Sequence, residues 1–158
     1  GGYAPNERVQ AVRLMNNEFI PVAASSYLAA AGTPKYATDL KQHQGLFFRT
    51  PTGPHTWLCQ SNGQWLDVSA LPLAISNNGK WLGEQAIAGQ GIMMAPRWLV
   101  QEYIDSNELQ ELHIEPTLHI SQNPGLAIYL LYQKQQYLVP KVKVAVDFLM
   151  ARFSADSI

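Results

Sequence analysis

The chain has 158 residues, 47% of them hydrophobic and only 15% charged. Globular domains average about 25% charged residues, so a disordered chain is excluded, and this length suits one compact domain or two small lobes. Eleven Lys and Arg oppose twelve Asp and Glu for a net charge of −1, which leaves no basic footprint for nucleic acid or for an anionic membrane.

Residues 9–15 mix apolar and polar side chains in near alternation and predict a strand. Asn16-Asn17 suits a tight turn, and residues 19–24 read as a second, apolar strand, so the two are expected as a hairpin or as adjacent strands. Ser25 or Ser26 is expected to cap a helix over 26–31 that Gly32 stops. Thr38 is expected to cap one helical turn at Thr38-Asp39-Leu40. Residues 45–48 form a short buried strand, followed by a rigid polar loop, Thr50-Pro51-Thr52-Gly53-Pro54. Strands over 55–60 and 64–69 flank Asn62-Gly63, the strongest hairpin signal present.

Residues 71–75 predict another strand, weakened near its start by Pro72. Ser76-Asn77-Asn78-Gly79 opens a helix with Trp81, Leu82 and Ala86 on one face and Gly89 to end it. A four-residue apolar strand, 92–95, stops at Pro96, which suits the start of a helix running to Asn107. Residues 109–114 and 127–133 read as strands. Pro140 begins the longest helix, 141–153, with Val142, Ala145, Val146, Leu149 and Phe153 as its buried stripe. Strands alternate with helices over 71–114, which predicts an α/β fold with a largely parallel sheet.

Cys59 is the only cysteine, so no internal disulfide forms and a reducing compartment fits. Residues 1–11 lack the apolar core of a signal peptide, and the apolar stretch 125–132 is too short to cross a bilayer. The chain reads as soluble and intracellular. His43, His55, His113 and His119 show no metal-ligand spacing and read as surface or loop histidines, with no metal site and no cofactor expected. Nucleophile-elbow, Ser-x-x-Lys and phosphate-loop motifs are missing. Gly89-Gln90-Gly91 resembles half of a dinucleotide fingerprint, but it follows a helix and precedes a strand, the reverse of what that fingerprint needs.

Two polar loops remain. Ser76-Asn77-Asn78-Gly79 follows a strand and precedes a helix, so it either caps the helix or offers its free N–H groups to a small anion. Arg49-Thr50-Pro51-Thr52 supplies hydroxyls and a cation, unless Arg49 is merely a solvated charge. Open α/β sheets bind ligands at the carboxyl ends of their strands, so the two loops point to a small-molecule cleft. Trp57, Trp65, Trp81 and Trp98 read as packing residues, with an aromatic cage as the lesser alternative.

The order of segments also resembles the effector-binding domain of LysR-type transcriptional regulators. The matching runs are Phe19-Ile20-Pro21-Val22-Ala23-Ala24-Ser25-Ser26-Tyr27-Leu28 with Gly32-Thr33-Pro34 and Asp39-Leu40, then Asn77-Asn78-Gly79, Ala88-Gly89-Gln90-Gly91-Ile92 and Pro96, and last Pro140-Lys141-Val142 with Asp147-Phe148-Leu149. Ala24 and Ser25 stand where the family has Ser-Pro, and Ala145 where it often has Phe. The resemblance implies a two-lobed, type-two periplasmic-binding-protein-like α/β fold. It places 1–22 in a partial first lobe, 23–131 in a complete second lobe, and 132–158 as a helix returning to the first. It implies a small-molecule effector held between lobes by Thr50, Pro51, Thr52, Asn77, Asn78, Gly79, Gly91, Ile92 and Met93. It implies a cytoplasmic regulator that is not an enzyme, that forms a homo-oligomer (dimer or tetramer), and that meets DNA only through a domain absent from this chain. The alternatives are a solute-binding protein of similar fold and a small hydrolase or transferase.

Overall fold

A computed structural model describes residues 8–123 and 125–155. Residues 1–7 of the expected 1–22 segment lie outside the described residues, as do residue 124 and the last three. In chain order the elements are β1 (Val9–Asn16), β2 (Phe19–Ala23), α1 (Ser25–Ala31), a 3-10 turn (Ala37–Gln42), β3 (Gln44–Thr50), β4 (Gly53–Pro54), β5 (Leu58–Ser61) and β6 (Gln64–Asp67). They continue with β7 (Leu71–Ser76), α2 (Gly79–Ile87), β8 (Ile92–Pro96), α3 (Arg97–Asp105), β9 (Gln110–Glu111), β10 (Ala127–Gln133), a second 3-10 turn (Gln136–Leu138) and α4 (Pro140–Ala155). The chain divides into two compact units, unit 1 with Gly1–Asn17 and Gly125–Ile158, and unit 2 with Glu18–Pro124.

Unit 2 is built on a sheet of order β4-β3-β8-β2-β9, with β7 also paired to β3. It is parallel only around β3, which runs with β7 and β8, whereas β2 is antiparallel to both β8 and β9. The sheet is therefore mixed rather than largely parallel. Strand side chains alternate between faces. Phe47, Ile92 and Met94 accordingly join one buried cluster with Leu40, Trp57 and Leu118. Leu46, Met93 and Ala95 join the other with Leu82, Ala86 and Val100 from α2 and α3. Each fully buried Leu, Ile or Met side chain stabilises by about 1.5–3 kcal/mol relative to exposure. The Asn62-Gly63 turn joins β5 to β6 with positive φ at both residues, 50° and 76°, as its sequence predicts. Pro72 sits on β7, which pairs with β3 through an irregular register.

Unit 1 holds a two-stranded antiparallel sheet, β1 with β10, and the helix α4. Here several expectations change. β1 does not form a hairpin with β2; its partner is β10, from Val9↔Gln133 to Asn16↔Ala127. β2 is an interior strand of unit 2, with Val22 and Ala23 fully buried. Its side chains are apolar on both faces, which suits burial between two layers, while β1 alternates. The expected boundaries at 22/23 and 131/132 thus move to 17/18 and to 124/125. Of the predicted stripe on α4, Val146 is buried, Val142, Leu149 and Phe153 are half-buried, and Ala145 is exposed.

Local capping differs as well. Ala24, not a serine, is the N-cap of α1, and no side chain bonds there. The turn at 37–42 is held by Asp39, whose carboxylate accepts the Tyr36 and Lys35 N–H groups at 2.9 and 3.1 Å. The expected strand over 109–114 shrinks to β9, although Leu109, Leu112 and Ile114 are buried.

Candidate functional site

The parallel pairing of β3 with β7 sets Phe48 opposite Ser76. Two residues beyond that register lie Thr50 on one strand and Asn78 after the other. The sequence-predicted loops therefore emerge side by side from the carboxyl edge of unit 2. Glu18, where the chain enters the unit, belongs to the same edge, because Phe19 pairs with Pro96 at the carboxyl end of β8. The Arg97 N–H donates to the Glu18 carbonyl at 2.8 Å.

Within the first loop the Thr50 hydroxyl is consumed by the turn. It donates to the Gly53 carbonyl at 2.7 Å, accepts the Thr52 N–H at 3.3 Å, and lies 3.0 Å from the Thr52 hydroxyl. One donor and two lone pairs are then all engaged. Pro51 and Thr52 form the tip, both exposed, and Gly53 adopts φ 124°, which favours glycine. Arg49 is exposed.

In the second loop the Ser76 hydroxyl accepts the Asn78 N–H at 3.0 Å, and Asn78 Oδ1 accepts the Trp81 N–H at 3.0 Å. Asn78 is therefore the N-cap of α2, an exposed residue whose side-chain oxygen is committed to the cap. Asn77 is exposed beside it, and Gly79 is the first residue of the helix. The structure brings Thr50, Pro51, Thr52, Asn77, Asn78 and Gly79 to one edge.

It does not bring Gly91, Ile92 and Met93 there. In β8 Ile92 pairs with Gly45 and Met93 with Leu46, at the amino end of β3. A Cβ on Gly91 would lie 2.8 Å from the Gln44 carbonyl oxygen. Ile92 and Met93 are buried in the two clusters. Parallel strands share their ends, so the start of β8 lies at the edge opposite Thr50. These three residues shape the core and offer no surface to a ligand at the loop edge.

His43 and His55, expected as surface or loop histidines, both lie in loop segments but are drawn inward, His43 buried and His55 half-buried. His43 is buried, and its Nδ1 lies 2.8 Å from the Tyr27 hydroxyl. That hydroxyl also accepts the Gln44 N–H at 3.0 Å. Burial holds the His43 pKa below the ordinary value, against an opposing pull from Asp39. His55 follows the first loop directly, and its N–H donates to the Phe48 carbonyl at 2.9 Å. Phe19 meets its ring edge-on at 5.8 Å and Phe48 lies at 5.7 Å. Burial lowers its pKa too. Its Nδ1 is buried and has no hydrogen-bond partner among the described residues. The only sequence signal for it is its place immediately after the loop; one of its ring neighbours, Phe19, is 36 positions away in the sequence.

Three charged side chains, Glu18, Arg97 and Glu111, hold one another. Arg97 makes a two-point bond to Glu111 at 2.7 and 3.0 Å and a third to Glu18 at 2.8 Å. Those bonds raise the arginine pKa, and the guanidinium lowers that of Glu111. The cation stands in the first turn of α3, where the helix dipole disfavours it, and the two carboxylates offset that. Trp57 is buried and stacked on Phe47 at 4.6 Å, while Trp81 and Trp98 are largely exposed on their helices. Among the described residues no group of three or more His, Cys, Asp or Glu could hold a metal ion, and no helix is long and apolar enough to cross a membrane.

The chain is similar to known transcriptional regulators. It is 29% identical over 154 residues to the HTH-type transcriptional regulator CrgA of Neisseria meningitidis, an alignment covering 94% of this chain and 48% of CrgA. It is 27% identical over 139 residues to the HTH-type transcriptional activator TtdR of Escherichia coli, covering 87% of this chain and 43% of TtdR. It thus spans less than half the length of these relatives. Its structure superposes on the CrgA regulatory domain with a TM-score of 0.78 at 25% identity, covering 95% of this chain and 72% of that one. The order of motifs, the two-unit α/β architecture and these likenesses agree with a match of residues 1–154 to the model of the LysR substrate binding domain, and the chain belongs to that family.

Proposed function

We propose that this chain is the effector-sensing part of a LysR-type transcription regulator, and that the carboxyl edge of unit 2 contacts a small effector. The observation that carries this reading is the Phe48↔Ser76 register, which sets the two polar loops together at the edge where the chain enters the unit. Pro51, Thr52, Asn77, Asn78 and Gly79 present donors and backbone there; Thr50 acts through the turn that its hydroxyl closes. DNA is contacted through a separate domain of the regulator, which acts in the cytoplasm as a homo-oligomer. The effector shifts the regulator between states only as far as its affinities for those states differ. That CrgA is a transcriptional regulator and TtdR a transcriptional activator supports regulation over catalysis. His43 bonds a phenol rather than a carboxylate, so it forms no acid–base pair of the kind a hydrolase uses.

The test uses the intact regulator and a promoter reporter. Asn77→Ala leaves the helix cap in place and should weaken the response to effector several-fold with the fold unchanged. Asn78→Ala should weaken it further, since it removes cap and contact together. A full response from Asn77→Ala and from a Thr52→Ala variant would refute the assignment of this edge.

A further inference from the structure

The chain enters unit 2 at Glu18. Arg97, the first residue of α3, holds that residue twice. Its N–H donates to the Glu18 carbonyl at 2.8 Å, and its Nε to Glu18 Oε2 at 2.8 Å. Pro96, the N-cap of α3, makes no side-chain cap bond, so the Glu18 carbonyl satisfies a first-turn N–H of the helix. The other side of the guanidinium spans both Glu111 oxygens, which sets its plane and leaves Nε for Glu18. The two arms differ in exposure. The Glu111 side chain is 27% exposed and that of Glu18 59%, so the Glu18 arm is the one that meets water. On the other side of the boundary the Asn17 N–H donates to the Leu126 carbonyl at 3.0 Å, one step beyond the Asn16↔Ala127 pair of β1 and β10. One peptide bond therefore separates a residue tied into unit 1 from a residue tied into unit 2. The way back is longer: it runs from His119, which exchanges two backbone bonds of 2.7 Å with Leu58, to Leu126.

We propose that Arg97 is the positioning residue of this junction, and that its Glu18 arm is a salt-sensitive latch that opens and closes while the Glu111 arm keeps the guanidinium in place. Closed, the latch sets the backbone of Glu18 and so fixes where the chain leaves the sheet. Open, it leaves that backbone held by the Arg97 N–H and the Phe19↔Pro96 pairing, and rotation about the Asn17–Glu18 link becomes easier. An exposed ion pair is weak and is screened by salt, which suits a contact that opens. A fully buried triad would stay shut, since breaking it strands a charge out of water. The latch lies on the edge proposed for the effector. An effector that binds the open or the closed state better shifts their balance, and that step alone rests on the proposed effector edge.

The experiment is amide hydrogen exchange in the full chain, followed by NMR at about 0.01 M and about 1 M salt. The Arg97 amide reports the latch, and the Met93 amide, on β8 between β2 and β3, reports the unit as a whole. High salt should speed exchange at Arg97 about two- to five-fold relative to Met93, the worth of an exposed ion pair. Glu18→Ala, a change at an exposed residue, should show the faster Arg97 exchange already at low salt and lose most of the salt response. An arginine that only stabilised the fold would speed Met93 as well. No salt response at Arg97, the same response in Glu18→Ala, or equal acceleration at Met93 overturns the proposal. A latch that behaves as expected in a regulator indifferent to Asn77→Ala and Thr52→Ala keeps the junction and loses only the effector edge.

Discussion

Units 1 and 2 use the same kinds of element to very different effect. In unit 2 the central strands β2, β3 and β8 are covered on both faces, and two separate clusters of buried side chains result. In unit 1 the described residues hold one buried hydrophobic side chain, Val146. Leu138 is 84% exposed, and Val144, Phe148 and Tyr129 are each more than half exposed. A two-stranded sheet with one helix has too little apolar area to bury both faces of either element. An amphipathic pattern needs a partner layer before it becomes a core. The loops that define the candidate site stand on the unit that has one.

The sharpest way to break this contrast is to cut the same kind of side chain from each unit. Trp57→Ala should destabilise unit 2 by about 3–5 kcal/mol, because Phe47 and the surrounding cluster cannot close over so large a void. Phe148→Ala in unit 1 should move stability by less than about 0.5 kcal/mol. Urea denaturation of both variants decides it, and equal losses would mean that unit 1 has a core too.

A middling effect is expected at the edge of unit 2. Arg97→Ala removes three charge-assisted bonds and leaves Glu18 and Glu111 without their cation, at a cost of about 1.5–3 kcal/mol. The arginine is about one-third exposed, so part of that cost should fade as salt rises. Arg97→Lys should restore less than half, since an ammonium cannot span both Glu111 oxygens. Denaturation in low and high salt measures this.

The smallest effect is graded with pH and also belongs to unit 2. Burial lowers the His43 pKa below its unfolded value of about 6.5. The unfolded chain then binds the proton more readily than the folded one. Stability is complete above about pH 6.5 and declines as pH falls below it, through the folded value. His55, lowered for the same reason, adds to the decline. His43→Gln should flatten the profile while Phe148→Ala leaves its slope alone. A profile that steepens in His43→Gln would contradict the burial argument.

Local chemistry determined much of this protein from the chain itself. The Asn62-Gly63 hairpin, the Asn78 cap and the glycine end of α2 follow from a few neighbouring residues, because turns and helix ends depend on φ preferences and on side-chain atoms within reach. The family motifs were legible for the same reason, as they lie in such short runs. Strand partners were not. An alternating strand such as β1 says which face is apolar but not which strand lies beside it, so β10 and not β2 became its neighbour. The same limit misplaced Gly91, Ile92 and Met93, whose end of the sheet is decided only by the direction in which β8 runs beside β3. It also hid the surroundings of His55, whose ring meets Phe19 of β2 and Phe48 of β3. Burial is a property of assembled layers, and a residue's own neighbours in sequence do not contain it.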